Sequence, residues 1–134
     1  MRLFCLSTAL AIFAAVTVLA AQARPVGTVH DIMEMITIPA SNAVFAAASE
    51  PPKDAAGWDT VRKQAVAVAE SSNLLLMPGR AVDTKDWTKW ATAQLTAAQA
   101  VIKAAQAKDA DALSKASDAL YDTCDGCHTV YMKK

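Results

Sequence analysis

Aromatic side chains make up only 6% of the 134 residues, and charge of either sign fails to accumulate, with 13 Lys and Arg against 13 Asp and Glu. No basic stripe provides an electrostatic footprint for nucleic acid, and no acidic tail provides a run of like charge that would stay disordered. No stretch alternates apolar and polar residues in the way of a half-buried strand, and no internal repeat is visible. Thiols are few: the chain has three cysteines. These absences exclude a nucleic-acid binder, a β-rich fold and a disulfide-stapled scaffold.

Alanine and a run of apolar residues at the start of the chain are what is present in quantity. Alanine is the best intrinsic helix former, so the composition points to an all-helical protein. Arg2 is a short positive region, Leu3 to Ala20 is apolar apart from Ser7, Thr8 and Thr17, and Ala21-Gln22-Ala23 has small residues at the spacing of a cleavage site. This pattern predicts a secretory signal peptide over residues 1–23. The alternative is a retained anchor, because the run approaches a membrane-spanning length. The cleavage pattern directly after the run favours removal, an exported protein and no stable membrane anchor. Cys5 lies too early in the run for a lipoprotein site. The mature chain, residues 24–134, is then one domain whose cysteines are Cys124 and Cys127. An alanine-rich core of this size is weak, and a bound cofactor would add apolar surface to bury.

Breaks divide the mature chain into four helical segments. The first is expected from about Val26 to Ala47, with Val29, Ile32, Met33, Ile36, Val44 and Ala47 on one face and Pro39 kinking or dividing it. After Pro51-Pro52, Asp54 is a fitting N-cap for a second helix with Trp58, Val61, Ala65, Val68, Ser72 and Leu75 or Leu76 inward, ended by Pro78-Gly79. Asp83 and Asp86 bracket the start of a third, in which Trp87, Trp90, Ala91, Gln94, Leu95, Ala98, Val101, Ile102 and Ala105 follow at helical spacing. A tight corner at Lys108 to Asp111, with Asp109 as N-cap, leads into a fourth helix whose inner face carries Leu113, Ala116, Leu120, Cys124, Cys127, His128 and Tyr131. Four helices with mostly short connections predict an all-α, antiparallel up-down four-helix bundle.

The residues Cys124-Asp-Gly-Cys127-His128 admit four chemistries. A thioredoxin-like dithiol needs its first cysteine at a helix N-terminus, usually in an α/β fold, whereas this pair lies near a predicted helix end. Zinc needs four ligands. His30 is the only free candidate for the fourth, and the adjacent Cys127 and His128 point in different directions. A disulfide at this spacing closes almost no loop and stabilises little. Covalent haem suits every residue. Thiols at i and i+3 face one way and add to two vinyl groups of one porphyrin, the following histidine reaches the iron, and c-type haem is attached outside the cytoplasm.

At Asp83 to Tyr131 the chain resembles the class II cytochromes c, the cytochrome c prime family. The likeness lies in an Ala-rich third helix, the Ala-Lys-Asp-Ala-Asp-Ala-Leu corner, and Cys-x-x-Cys-His followed by an aromatic at Tyr131. It spans the mature chain in length and helix order and is most specific in the C-terminal third. It implies a left-handed bundle with one haem c near one end, Cys124 and Cys127 as thioether anchors and His128 as proximal iron ligand. It also implies a homodimer through the first two helices. Family members commonly carry a basic residue four positions after the histidine. Met132 stands there in this chain, so no role follows for such a residue.

The sixth iron position separates the functions. A methionine there raises the potential and favours electron transfer, while an open face admits nitric oxide or carbon monoxide. Met33 is the candidate, from the inner stripe and from its place on the family's first-helix pattern. Met35 lies about 200° around an ideal helix from it, and His30 is a third possibility. Any single Met is also ordinary core filler, as Met77 is taken to be, and Trp58, Trp87 and Trp90 are taken as core. No second titratable cluster offers acid–base chemistry on a substrate. The expectation is therefore an exported monohaem carrier of single electrons to a partner protein, not an enzyme. A gas-binding cytochrome is the alternative, and a haem-free dithiol or zinc bundle the third.

Overall fold

The computed structural model describes residues 24–83 and 85–132. The expected signal peptide, residues 1–23, lies outside them.

Helix α1, Val29–Ser49, opens on a reciprocal capping box. Thr28 Oγ1 accepts from the Asp31 amide at 3.1 Å, and Asp31 Oδ2 accepts from the Thr28 amide at 2.7 Å. The helix therefore starts at Val29 rather than Val26. Pro39 neither ends nor divides it. Met33–Thr37 widens into a π-turn, and the Ile38 amide donates to the Met33 carbonyl. Pro39 has no N–H to give the turn behind it, and its ring crowds the carbonyl four residues back; the wide turn occupies that stretch. The added residue also shifts the buried face. Ile32, Thr37, Ala40, Ser41 and Val44 point inward, so the step from the first to the second is five residues, and Ile36 and Ala47 are only half-buried. Thr37 donates to Ser71 Oγ at 3.0 Å, and Ser71 donates to the Val68 carbonyl at 2.8 Å, which couples α1 to α2 through buried hydroxyls.

Helix α2, Ala55–Leu75, is capped by Asp54, whose carboxylate accepts from the Gly57 amide at 2.7 Å. Trp58, Val61, Ala65, Val68, Ala69, Ser72 and Leu75 are buried. The chain turns at Gly79, whose φ of 89° is one that L side chains rarely adopt. Arg80 then reaches back to the Leu74 carbonyl at 2.9 Å and the Gly27 carbonyl at 3.2 Å.

Helix α3, Asp86–Ala107, is capped from three residues upstream. Asp83 Oδ1 accepts from the amides of Lys85, Asp86 and Trp87 at 3.0, 2.9 and 3.1 Å. Lys108 ends the helix in the left-handed region, with φ 54°. Asp109 at once caps helix α4, Ala110–Tyr131, by accepting from the Ala112 amide at 2.9 Å.

The described residues are all-helical, with no strand among them. α2 packs on α3, α3 on α4, and α1 on both α2 and α4. The end of α4 meets the start of α3 where Tyr131 stacks edge-on against Trp87 at 5.1 Å. Phe45, late in α1, meets Tyr121 of α4 at 6.1 Å. These contacts are consistent with an up-down helical bundle. Its main core is built from all four helices around Val44, Val68, Ala98, Val101, Leu113 and Leu120. A second, smaller core holds Ile32, Leu75, Trp87 and Ala91. α1 has the length and apolar composition shared by membrane spans, signal helices and core helices; here its inner face packs on α2 and α4.

Candidate functional site

The last turns of α4 are less buried than the rest of it. Leu113, Ala116, Ser117 and Leu120 are buried, but Cys124 and Cys127 are half-buried and His128 is exposed. The reason is that the four helices stop filling the interior at this level. Two adjoining cavities, of about 230 and 530 Å³, open between α1, α3 and α4. Both are lined by Met33 and Ile38 of α1, Gln94 of α3, and Cys127 and His128 of α4. Cys124 faces the smaller one beside Phe45 and Tyr121; Trp87, Ala91 and Tyr131 face the larger. The larger cavity alone lies within the roughly 300–1,000 Å³ of small-molecule sites, and the lining is mostly apolar, as such sites are.

The end of α4 is fixed from two sides. Tyr131 donates its hydroxyl to Asp83 Oδ2, while Oδ1 of the same carboxylate caps α3. Trp87, under the Tyr131 ring, donates its indole N–H to the Leu75 carbonyl at 2.8 Å. The Tyr131 hydroxyl bond is the largest of the influences holding the Asp83 carboxyl below its usual range, followed by the backbone amide of Trp87. Desolvation first, and then the Asp83 carboxylate, push the Tyr131 phenol up. On the far side of the motif, Gly126 lies so close to Trp90 that an added Cβ would fall 2.2 Å from the indole. The absence of a side chain at that position is what lets α3 approach the motif.

Cys124 and Cys127 are free thiols. Burial raises the pKa of both, and the neighbouring Cys124 raises Cys127 further. A reactive dithiol needs the opposite shift, which a helix N-terminus or a nearby cation supplies; these thiols sit near a helix C-terminus. Among the described residues no three His, Cys, Asp or Glu side chains gather in a metal-binding group. An apolar cleft with two protonated thiols one helical turn apart and a histidine beside them does fit haem c.

The other expected ligands separate by position. Met33 is half-buried and faces both cavities, whereas Met35 is 77% exposed. His30 lies on the rim of the larger cavity, exposed and 3.2 Å from Glu34. Met77 lies apart, its sulfur 3.0 Å from Arg80 Nη1. Met132 lines the larger cavity from its edge. Sequence reasoning placed Gln94 on an inner stripe but not in the cleft, and it passed over Thr37, Ile38 and Phe45. A glutamine amid the apolar positions of α3 was the one available signal.

No family model, curated protein or solved structure matches the chain.

Proposed function

We propose that the protein is an exported, monohaem c-type cytochrome that carries single electrons, and not an enzyme. One observation supports this above the others: Met33 of α1 and Cys124, Cys127 and His128 of α4, distant from it in sequence, line adjoining cavities of one apolar cleft. Haem bound there would supply a one-electron iron couple. Cys124 and Cys127 would hold it, each S–H adding across a vinyl double bond so that no oxidant is consumed. His128 would ligate the iron from α4, and Met33 would close the sixth position from α1. Val29, Leu75, Trp87 and Ala91 would exclude water on the larger side. The resemblance to class II cytochromes c points the same way and adds a homodimer through α1 and α2. Periplasmic residence and a redox partner protein belong to the same reading. Lysines on α3 and α4 would steer such a partner in a salt-sensitive manner.

The spaces beside Met33 favour a second reading. If Met33 only covers the iron, the protein is a gas-binding cytochrome taking nitric oxide or carbon monoxide. The visible spectrum of the protein matured with c-type haem machinery, with and without carbon monoxide, tests both. Low-spin bands unmoved by carbon monoxide are expected. High-spin bands that shift select gas binding, and a mass equal to the haem-free chain sinks both readings.

A further inference from the structure

Gln94 is 7% exposed and lines both cavities, at the level of Cys127 and His128. The other buried or half-buried polar groups of the smaller cavity are engaged. Thr37 donates to Ser71 Oγ, Ser41 to the Ile38 carbonyl at 3.2 Å, and Thr123 to the Leu120 carbonyl at 2.7 Å. Among the described residues the fully buried side-chain polar atom without a partner is Arg80 Nε, so the Gln94 carboxamide, which makes no such bond, keeps access to the open space of the cleft. Its two N–H donors and one carbonyl acceptor are therefore available to a body bound in the cleft that Gln94 lines. His128 is exposed, so water can serve its free ring nitrogen. Met33 lines the same two cavities as Gln94.

We propose that Gln94 is a positioning residue of the iron's sixth side, donating an amide hydrogen bond to the lone-pair atom that occupies it. This rests on the haem reading above. The acceptor has one chemistry and two sources: the thioether sulfur of Met33 in a closed centre, or the outer atom of a bound diatomic gas in an open one. In a closed centre the bond draws electron density from the sulfur and favours ferrous iron. In an open centre it favours back-donation into the gas ligand.

The test uses the matured full chain and Gln94→Leu, with Gln94→Met, unbranched like glutamine, should the Leu variant take up no haem. Mass and the reduced haem spectrum first establish attachment. A wild type without haem overturns the haem reading, and the inference falls with it. With haem attached and no response to carbon monoxide, loss of the donor is expected to lower the midpoint potential. The expected change is about threefold in the reduction equilibrium, about 28 mV at 59 mV per tenfold for one electron. With carbon monoxide bound, the variant is expected to raise the C–O stretching frequency and release the gas faster. Attached haem with potential, stretch and release rate all unchanged overturns the role of Gln94 and leaves the haem reading intact.

Discussion

The two cores of this bundle are built differently. Around Ala98, Val101 and Leu120 the helices meet side chain to side chain, with alanine letting their backbones approach. Around Trp87 and Ala91 the same helices carry larger residues yet leave a cleft, and Gln94 faces it without a partner. Close packing is the normal state of protein interiors, so an apolar cleft beside a close-packed core marks the place where a further body fits. The Cys124-x-x-Cys127-His128 motif lies on the part of α4 that borders this cleft, one to two turns beyond fully buried Leu120.

The largest effect that would break this contrast is chemical. Replacing Cys124 and Cys127 together by Ser is expected to abolish covalent haem attachment completely, read by intact mass after co-expression with the maturation machinery. Retained covalent haem would remove the proposed role of the motif. Next, Leu120→Ala in the filled core is expected to cost about 2–5 kcal/mol in denaturant unfolding, whether or not haem is bound, because Leu120 is fully buried in the filled core. Gly126→Ala sharpens the boundary between the regions. The methyl group meets the Trp90 ring, and overpacking of this kind costs about 1–3 kcal/mol. It is also expected to perturb the haem spectrum, which Leu120→Ala leaves unchanged.

The smallest effect lies at Tyr131. Tyr131→Phe keeps the ring on Trp87 and removes the hydroxyl from Asp83, and a modest fall in thermal midpoint is expected. The pH dependence carries the diagnosis. The Asp83 carboxyl is depressed in the folded protein, so its contribution is present above its ordinary pKa of about 4 and is lost as pH falls through the depressed value. The Tyr131 phenol is raised, so its contribution is present below about 10 and is lost as pH rises beyond that. The difference between wild type and variant, followed by thermal melts across pH, should be widest between these limits and close at both ends. A constant difference would show that the hydroxyl contact carries no stability.

Much of the helical frame could be read from the sequence alone, and what could not has separate physical causes. Asp54 and Asp109 are short acceptors placed before apolar periodicity, and Pro78-Gly79 cannot continue a helix, so both ends of α2 and the start of α4 declared themselves. The capping box at Thr28 and Asp31 has the same kind of signature and was overlooked. The inner face of α1 was legible at Ile32 and Val44 but not between them, because a fixed helical period assigns Ile36 to the interior while the π-turn puts Thr37 there instead. Periodicity also cannot tell a residue that faces packed atoms from one that faces space. That is why Gln94 looked like one more member of the α3 stripe, and why the half-burial of Cys124 and Cys127 was not foreseen.

The π-turn sets a reading frame along α1. Each residue of a helix advances about 100° around the axis. Were Met33–Thr37 to take up an ordinary turn with no residue removed, everything before it would swing by about that angle relative to Thr37, Ala40, Ser41 and Val44 behind it. Met33 would leave the cleft while the packed half of α1 stayed where it is. The residue that α1 presents to the cleft is thus addressed by a count of residues as much as by side-chain identity, and the π-turn absorbs the one residue that would otherwise turn Met33 away from it.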